Sequence, residues 1–110
     1  MIFRARLVGT GTAEVEAYGS GDAEARLEKE AQRAIDGARL SVRAIRRLDE
    51  APRIVESFRL EYRLRVDVAV EGTEASARRA AFTAARRALS GTRFERIAWE
   101  RADLEADDPT

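Results

Sequence analysis

Two stretches of this chain echo each other, and the echo limits the folds open to it. "GARLSVRAIRRLDEA" begins at Gly37 and "GTRFERIAWERADLEA" begins at Gly91. Gly37, Arg39, Ala44, Arg47 and Asp49 match Gly91, Arg93, Ala98, Arg101 and Asp103, with Leu40 opposite Phe94 and Ile45 opposite Trp99. Upstream, Val15, Ala17, Gly19 and Ser20 fall opposite Val68, Val70, Gly72 and Thr73. After a one-residue shift Ala23, Ala25 and Arg26 meet Ala75, Ala77 and Arg78. The segment ahead of each copy reads as a strand followed by a helix, so the chain divides into two β-α-β halves, about 3–50 and 56–104.

Each half shows its elements by period. Phe3, Ala5, Leu7, Gly9, Gly11, Ala13, Val15 and Ala17 alternate with mostly polar residues, which suits one long strand bent or bulged at its glycines. A hairpin turning at "GTGT" is the competing reading. Beyond "YGSGD", where Ser20 or Asp22 can cap free amides, Ala23, Leu27, Ala31, Ala34, Ile35 and Ala38 form one helical stripe that ends at Gly37. A strand over 39–47 follows, and "DEAPR" turns the chain at Pro52. The third strand has the clearest alternation: Phe58, Leu60, Tyr62, Leu64, Val66, Val68 and Val70 on one face, Arg59, Glu61, Arg63, Arg65 and Asp67 on the other. Thr73 begins a second helix striped by Ala77, Ala81, Ala84, Ala85 and Ala88, Gly91 ends it, and a fourth strand is expected over 93–101.

The order β-α-β-β-α-β with right-handed crossovers predicts an α+β sandwich of the ferredoxin-like kind, an antiparallel sheet ordered 4-1-3-2 with both helices on one face. At 110 residues there is room for one core, taken as 1–102, with 103–110 read as a flexible acidic tail. Twenty basic and twenty acidic side chains cancel, so no overall charge steers the molecule to nucleic acid or to an anionic membrane. Without cysteine there are no disulfides or thiolates. No apolar run approaches membrane-spanning length, and "MIFRARLVG" lacks the apolar region of a signal peptide, so the expected location is the cytoplasm.

Function must then be sought on the sheet face that the helices leave open. On the central strands that face carries Arg4, Arg6, Glu14, Glu16, Arg59, Glu61, Arg63, Arg65 and Asp67. If Leu40, Val42, Ala44 and Phe94 point to the core, Ile45, Ile97 and Trp99 point outward and give an exposed apolar feature at the sheet edges. A bulge in each edge strand would instead return them to the core. The interaction surface expected from this reading comprises Ile45, Ile97, Trp99, Arg59, Arg63 and Arg65, and it would join copies of the chain through the open face or an edge strand.

The side-chain inventory offers little chemistry. Histidine and cysteine are absent, which removes the usual neutral-pH proton shuttle and the readiest nucleophile. "GTGT" and "GSGD" do not complete a dinucleotide or P-loop motif, and no metal site or cofactor is expected. The missing side chains at Gly9 and Gly11 would leave a small pocket beside Tyr62 unless tight packing fills it.

"RLVGT", followed by a helix and then "IVESFRLEYRLRVDV", resembles the dodecins, small flavin-binding oligomers of β-α-β-β subunits, over roughly the first seventy residues. The chain departs from them at the "GTAEVEAYGSGD" insertion, in lacking the flavin-stacking tryptophan on its second strand, and in its additional helix and strand, so that family is not assigned. The architecture is also similar to ferredoxin-like RNA-binding domains, whose central strands present stacking aromatics where this chain has Arg and Glu. Taken together, the sequence points first to a non-enzymatic homo-oligomeric assembly or interaction module. Second comes a small-ligand-binding protein or a dimeric α/β-barrel enzyme using the Tyr62 region, and third a binder of nucleic-acid phosphates through Arg59, Arg63 and Arg65.

Overall fold

Strict alternation on the third strand demands a sheet with one dry and one wet face. The computed structural model, which describes residues 1–106, has that sheet. Its elements are β1 (Ile2–Ala17), α1 (Ser20–Ala34), β2 (Arg39–Arg47), β3 (Glu56–Glu71), α2 (Glu74–Leu89) and β4 (Ala98–Ala106). The strands lie in the order β2-β3-β1-β4, all antiparallel, which is the ferredoxin-like arrangement expected from the repeat. Among the described residues no helix is long and apolar enough to cross a membrane.

β1 is a single strand, not a hairpin, and pairs with β3 in unbroken register from Ile2 opposite Glu71 to Ala17 opposite Glu56. This register sets small residues against large ones beneath the helices: Gly9 opposite Leu64, Gly11 opposite Tyr62, Ala13 opposite Leu60. Leu60, Tyr62, Leu64 and Val66 are almost wholly buried, each burial stabilising the fold by about 1.5–3 kcal/mol. The helices complete the core with short side chains, Ala23, Leu27 and Ala31 from α1 and Ala77, Ala81, Ala85 and Leu89 from α2.

The helix ends match the local signals in part: α1 starts after Gly19 with no side-chain cap, so neither Ser20 nor Asp22 caps its amides as expected. Asp22 accepts hydrogen bonds from the Tyr18 backbone N–H at 3.0 Å and from Arg26 Nε at 2.8 Å. Those donors hold its carboxyl below the ordinary carboxylate range. Thr73 and Ser76 form a reciprocal capping box at the start of α2. Gly37 and Gly91 both take φ of +78°, a left-handed conformation that costs glycine least, so the repeat's two anchor glycines do the same work after each helix.

The last strand departs from expectation. It occupies Ala98–Ala106, not 93–101, because residues 91–97 form successive tight turns that tuck Phe94 into the core. There the Phe94 ring meets Tyr62 edge-on at 5.0 Å. Residues 103–106, read from the sequence as tail, pair with β1, Asp103 opposite Arg6 and Glu105 opposite Arg4. The domain therefore extends past its expected end at 102, and the remainder of the expected tail, 107–110, lies outside the described residues.

A methyl group added at Gly11 would stand 2.5 Å from the Tyr62 hydroxyl and 2.8 Å from its ring carbon Cζ. Gly11→Ala is expected to cost about 1–3 kcal/mol in chemical denaturation. Adding Tyr62→Phe should recover part of that loss, because the hydroxyl is the nearest obstacle.

Candidate functional site

The expected pocket at Gly9, Gly11 and Tyr62 is filled from above. An added Cβ at Gly9 would lie 2.8 Å from both Cγ1 and Cδ1 of Ile97, and the space over Gly11 is taken by Tyr62 itself. Burial pushes the Tyr62 hydroxyl up to about 12 and keeps it neutral, so it serves as a core side chain and not as a proton shuttle. The structure thus offers no opening there to hold the second functional reading.

Turns and bulges decide where the apolar candidates point. In β4 the register shifts between Val8 and Gly9, which leaves Glu100 unpaired and sets Trp99 opposite Gly9 on the helix side. Trp99 packs against Phe82 of α2 with ring centroids 6.0 Å apart, and its buried indole N–H has no partner among the described residues. In β2 the shift between Val42 and Ala44 leaves Arg43 unpaired and sets Ile45 opposite Leu60, again on the helix side. Ile45 stays 38% exposed at the outer margin of the sheet, whereas Ile97 and Trp99 are partly buried against the core. The outward reading of all three is therefore corrected. In β2 the extra residue Arg43 reverses the side chains beyond it, whereas Ile97 and Trp99 precede Glu100 and are turned inward by the tight turns at 91–97 that separate them from Phe94.

Arg59, Arg63 and Arg65 do lie on the open face. Around them the face is organised as rows running across the strands. Toward one end, Arg59 meets Glu14 at 2.8 Å. Toward the other, Arg6 meets Asp67 at 3.3 Å, and Arg4 stands opposite Glu105. Between these ends one row reads Arg39, Arg65, Val8, Arg101 across all four strands. Val8 is 2% exposed although it faces away from the helices, because the side chains of this arginine row cover it. The sequence carried a signal for this: Leu7 and Val8 are adjacent apolar residues that break the alternation of β1.

The edges of the sheet are stepped. β4 pairs with β1 only over 3–10, and β2 pairs with β3 only over 58–65. One side of β1 at 12–17 and one side of β3 at 66–71 therefore lack a strand. On β1 this gap is plugged: Arg93 Nε donates to the Glu14 carbonyl at 3.0 Å while Nη1 holds Glu30 of α1 at 3.1 Å. Among the described residues β3 has no equivalent plug, since Arg39, the repeat counterpart of Arg93, is itself paired within the sheet opposite Arg65. Sequence periodicity shows which face a residue takes but not how far neighbouring strands overlap, so this feature was not legible before the structure.

Comparisons with known proteins leave the chain unassigned. No family model matches it, and no curated protein matches it. Among solved structures it is similar to an aminobenzoyl-glutamate utilization protein from Klebsiella pneumoniae, with 12% identity and a TM-score of 0.30 over 94% of this chain and 28% of that one. It is also similar to an amidase of the hydantoinase/carbamoylase family from Burkholderia multivorans, with 13% identity and a TM-score of 0.29 over 94% of this chain and 27% of that one. The chain spans less than a third of either protein, and likeness at these scores carries no functional argument.

Tyr62 also gives the fold a pH signature. Its pKa is raised from 10.0 to about 12 on folding, so the neutral form is favoured in the folded state. That stability is complete below pH 10 and is lost as pH rises toward 12, by about 3 kcal/mol for a two-unit shift. Denaturation midpoints measured through this range should fall for the parent and stay flatter for Tyr62→Phe.

Proposed function

We propose that this chain is a non-catalytic assembly module and that copies of it join through the unplugged edge of β3. The observation that carries the reading is the difference between the two sheet gaps, one closed by Arg93 and the other open at 66–71. Exposed strand edges template pairing with another chain, and proteins ordinarily block them.

Backbone direction shows which groups an added strand would meet. The Gly72 N–H donates to the Met1 carbonyl, so even-numbered residues of β3 bond to β1. The Leu48 N–H donates to the Ser57 carbonyl, so odd-numbered residues bond toward β2. Asp67, Ala69 and Glu71 accordingly direct their N–H and C=O groups out of the sheet. A second copy is the occupant that this edge suits best. Antiparallel pairing about a two-fold axis at Ala69 sets Val68 of one copy against Val70 of the other beneath the helices, extending the apolar layer. Asp67 of each copy then stands against Glu71 of the other on the charged side, two like-charge pairs that oppose the contact and that Arg6, already bound to Asp67, offsets in part. Face-to-face association is a poorer solution, because a two-fold axis through Val8 would press two arginine rows together.

Ala69→Pro tests the reading, since it deletes an N–H that the monomer's own ladder does not use. The parent should have at least the mass of a dimer by light scattering at high micromolar concentration. The variant should be a monomer with unchanged far-UV circular dichroism. A monomeric parent, or a folded variant of undiminished mass, contradicts it.

A further inference from the structure

Among the described residues the arginine row on the open face is only partly matched by counter-charge. Arg39 and Arg65 stand directly opposite each other on β2 and β3, an arrangement in which like charges repel. Neither has a carboxylate within 4.0 Å among the described residues, while Arg63 reaches Glu100 only at 3.7 Å and Arg101 reaches Asp103 only at 3.6 Å. Along β3 the acid nearest Arg65, Asp67, is engaged by Arg6, and Glu61 lies two residues from Arg63 on the same face. Since the whole chain is neutral, this concentration of cations is a local separation of charge and not the reflection of a basic protein.

These arginines, with Ser41 and the buried Val8, line a shallow depression of about 310 Å³. Adjacent strands lie about 4.8 Å apart, so Arg65 and Arg101 flank Val8 with their Cα atoms roughly 10 Å apart, and Arg39 stands one strand further out. Guanidinium forks match phosphate oxygens two at a time. A single monoanion would leave most of the repulsion in place, whereas a chain of phosphates offers charge at several points along the row.

We infer that this depression is a binding site for an oligophosphate chain, seated over Val8 and held by Arg39, Arg63, Arg65 and Arg101. The chemistry is shared by inorganic tripolyphosphate and by the phosphates of a nucleoside triphosphate. The site is separate from the β3 edge, so both can be occupied at once.

Isothermal titration of the full chain with tripolyphosphate, and in parallel with ATP, tests the site. Saturable binding is expected, weakened about tenfold or more by Arg65→Gln and abolished by Arg65→Gln with Arg101→Gln, because each substitution removes a charge-assisted contact. Arg79→Gln on α2 makes the same change in net charge away from the row and should leave affinity within twofold. Equal affinities for the two ligands assign recognition to the phosphates alone, and tighter binding of ATP adds contacts from its nucleoside; either supports the site. Tripolyphosphate should also raise the melting midpoint of the parent and not that of the folded double variant. Absence of saturable binding overturns the inference, as does an equal loss in Arg79→Gln. Binding of a single-stranded oligonucleotide that tripolyphosphate cannot displace would overturn it in favour of a nucleic-acid surface.

Discussion

The unbroken pairing of β1 with β3 is the constraint on which the rest of the molecule depends. Sixteen residues of each strand run side by side, and their complementarity is steric before it is anything else. Gly9 and Gly11 leave room that Ile97 and Tyr62 occupy, so the strand that looks weakest by propensity is the one that admits the bulkiest neighbours. The alanine-striped helices can lie close over the resulting surface. The length of this pair also gives the domain its elongated shape, 57 × 23 × 22 Å, and it is the reason the shorter outer strands cannot cover both sides.

Much of this was legible in the sequence because two independent periodicities agreed. Alternation fixed the faces of β1 and β3, and the repeat fixed the order of elements, the matched glycines after each helix and the pairing of halves. The misreadings have a common physical origin. Carrying the register of residues 39–47 onto 93–101 ignored that Phe94 is needed in the core beside Tyr62, which turns 91–97 out of the sheet and delays β4 to Ala98. Counting faces failed at those same turns for Ile97 and Trp99, and at Arg43 for Ile45, since a bulge inverts the count without leaving a compositional mark. Ile97 and Trp99 consequently moved from the expected surface to the margin of the core, and Ile45 crossed to the helix side. Arg59, Arg63 and Arg65 kept their place because β3 has no bulge against β1.

The repeat is most informative where its halves differ. Arg93 and Arg39 occupy equivalent positions, yet one closes a gap in the sheet and the other sits in a row of like charges. Among the described residues that divergence leaves one half with an unplugged strand edge and the open face with a cluster of guanidinium groups only partly compensated by carboxylates. The edge follows from the stepped sheet, and the arginine row lies where all four strands overlap. Self-pairing at the edge would not obstruct the open face, since strand addition extends a sheet in its own plane.

The most direct test of the central claim is amide hydrogen exchange resolved by residue along β3, followed as the protein is diluted. The N–H groups of Val66, Val68 and Val70 bond within the monomer and should be protected at every concentration. If the free edge of β3 joins copies, the outward amides of Asp67, Ala69 and Glu71 should be protected at high concentration and lose that protection on dilution. If those three exchange rapidly and at the same rate throughout, the edge is solvated in the native protein and the assembly account is wrong.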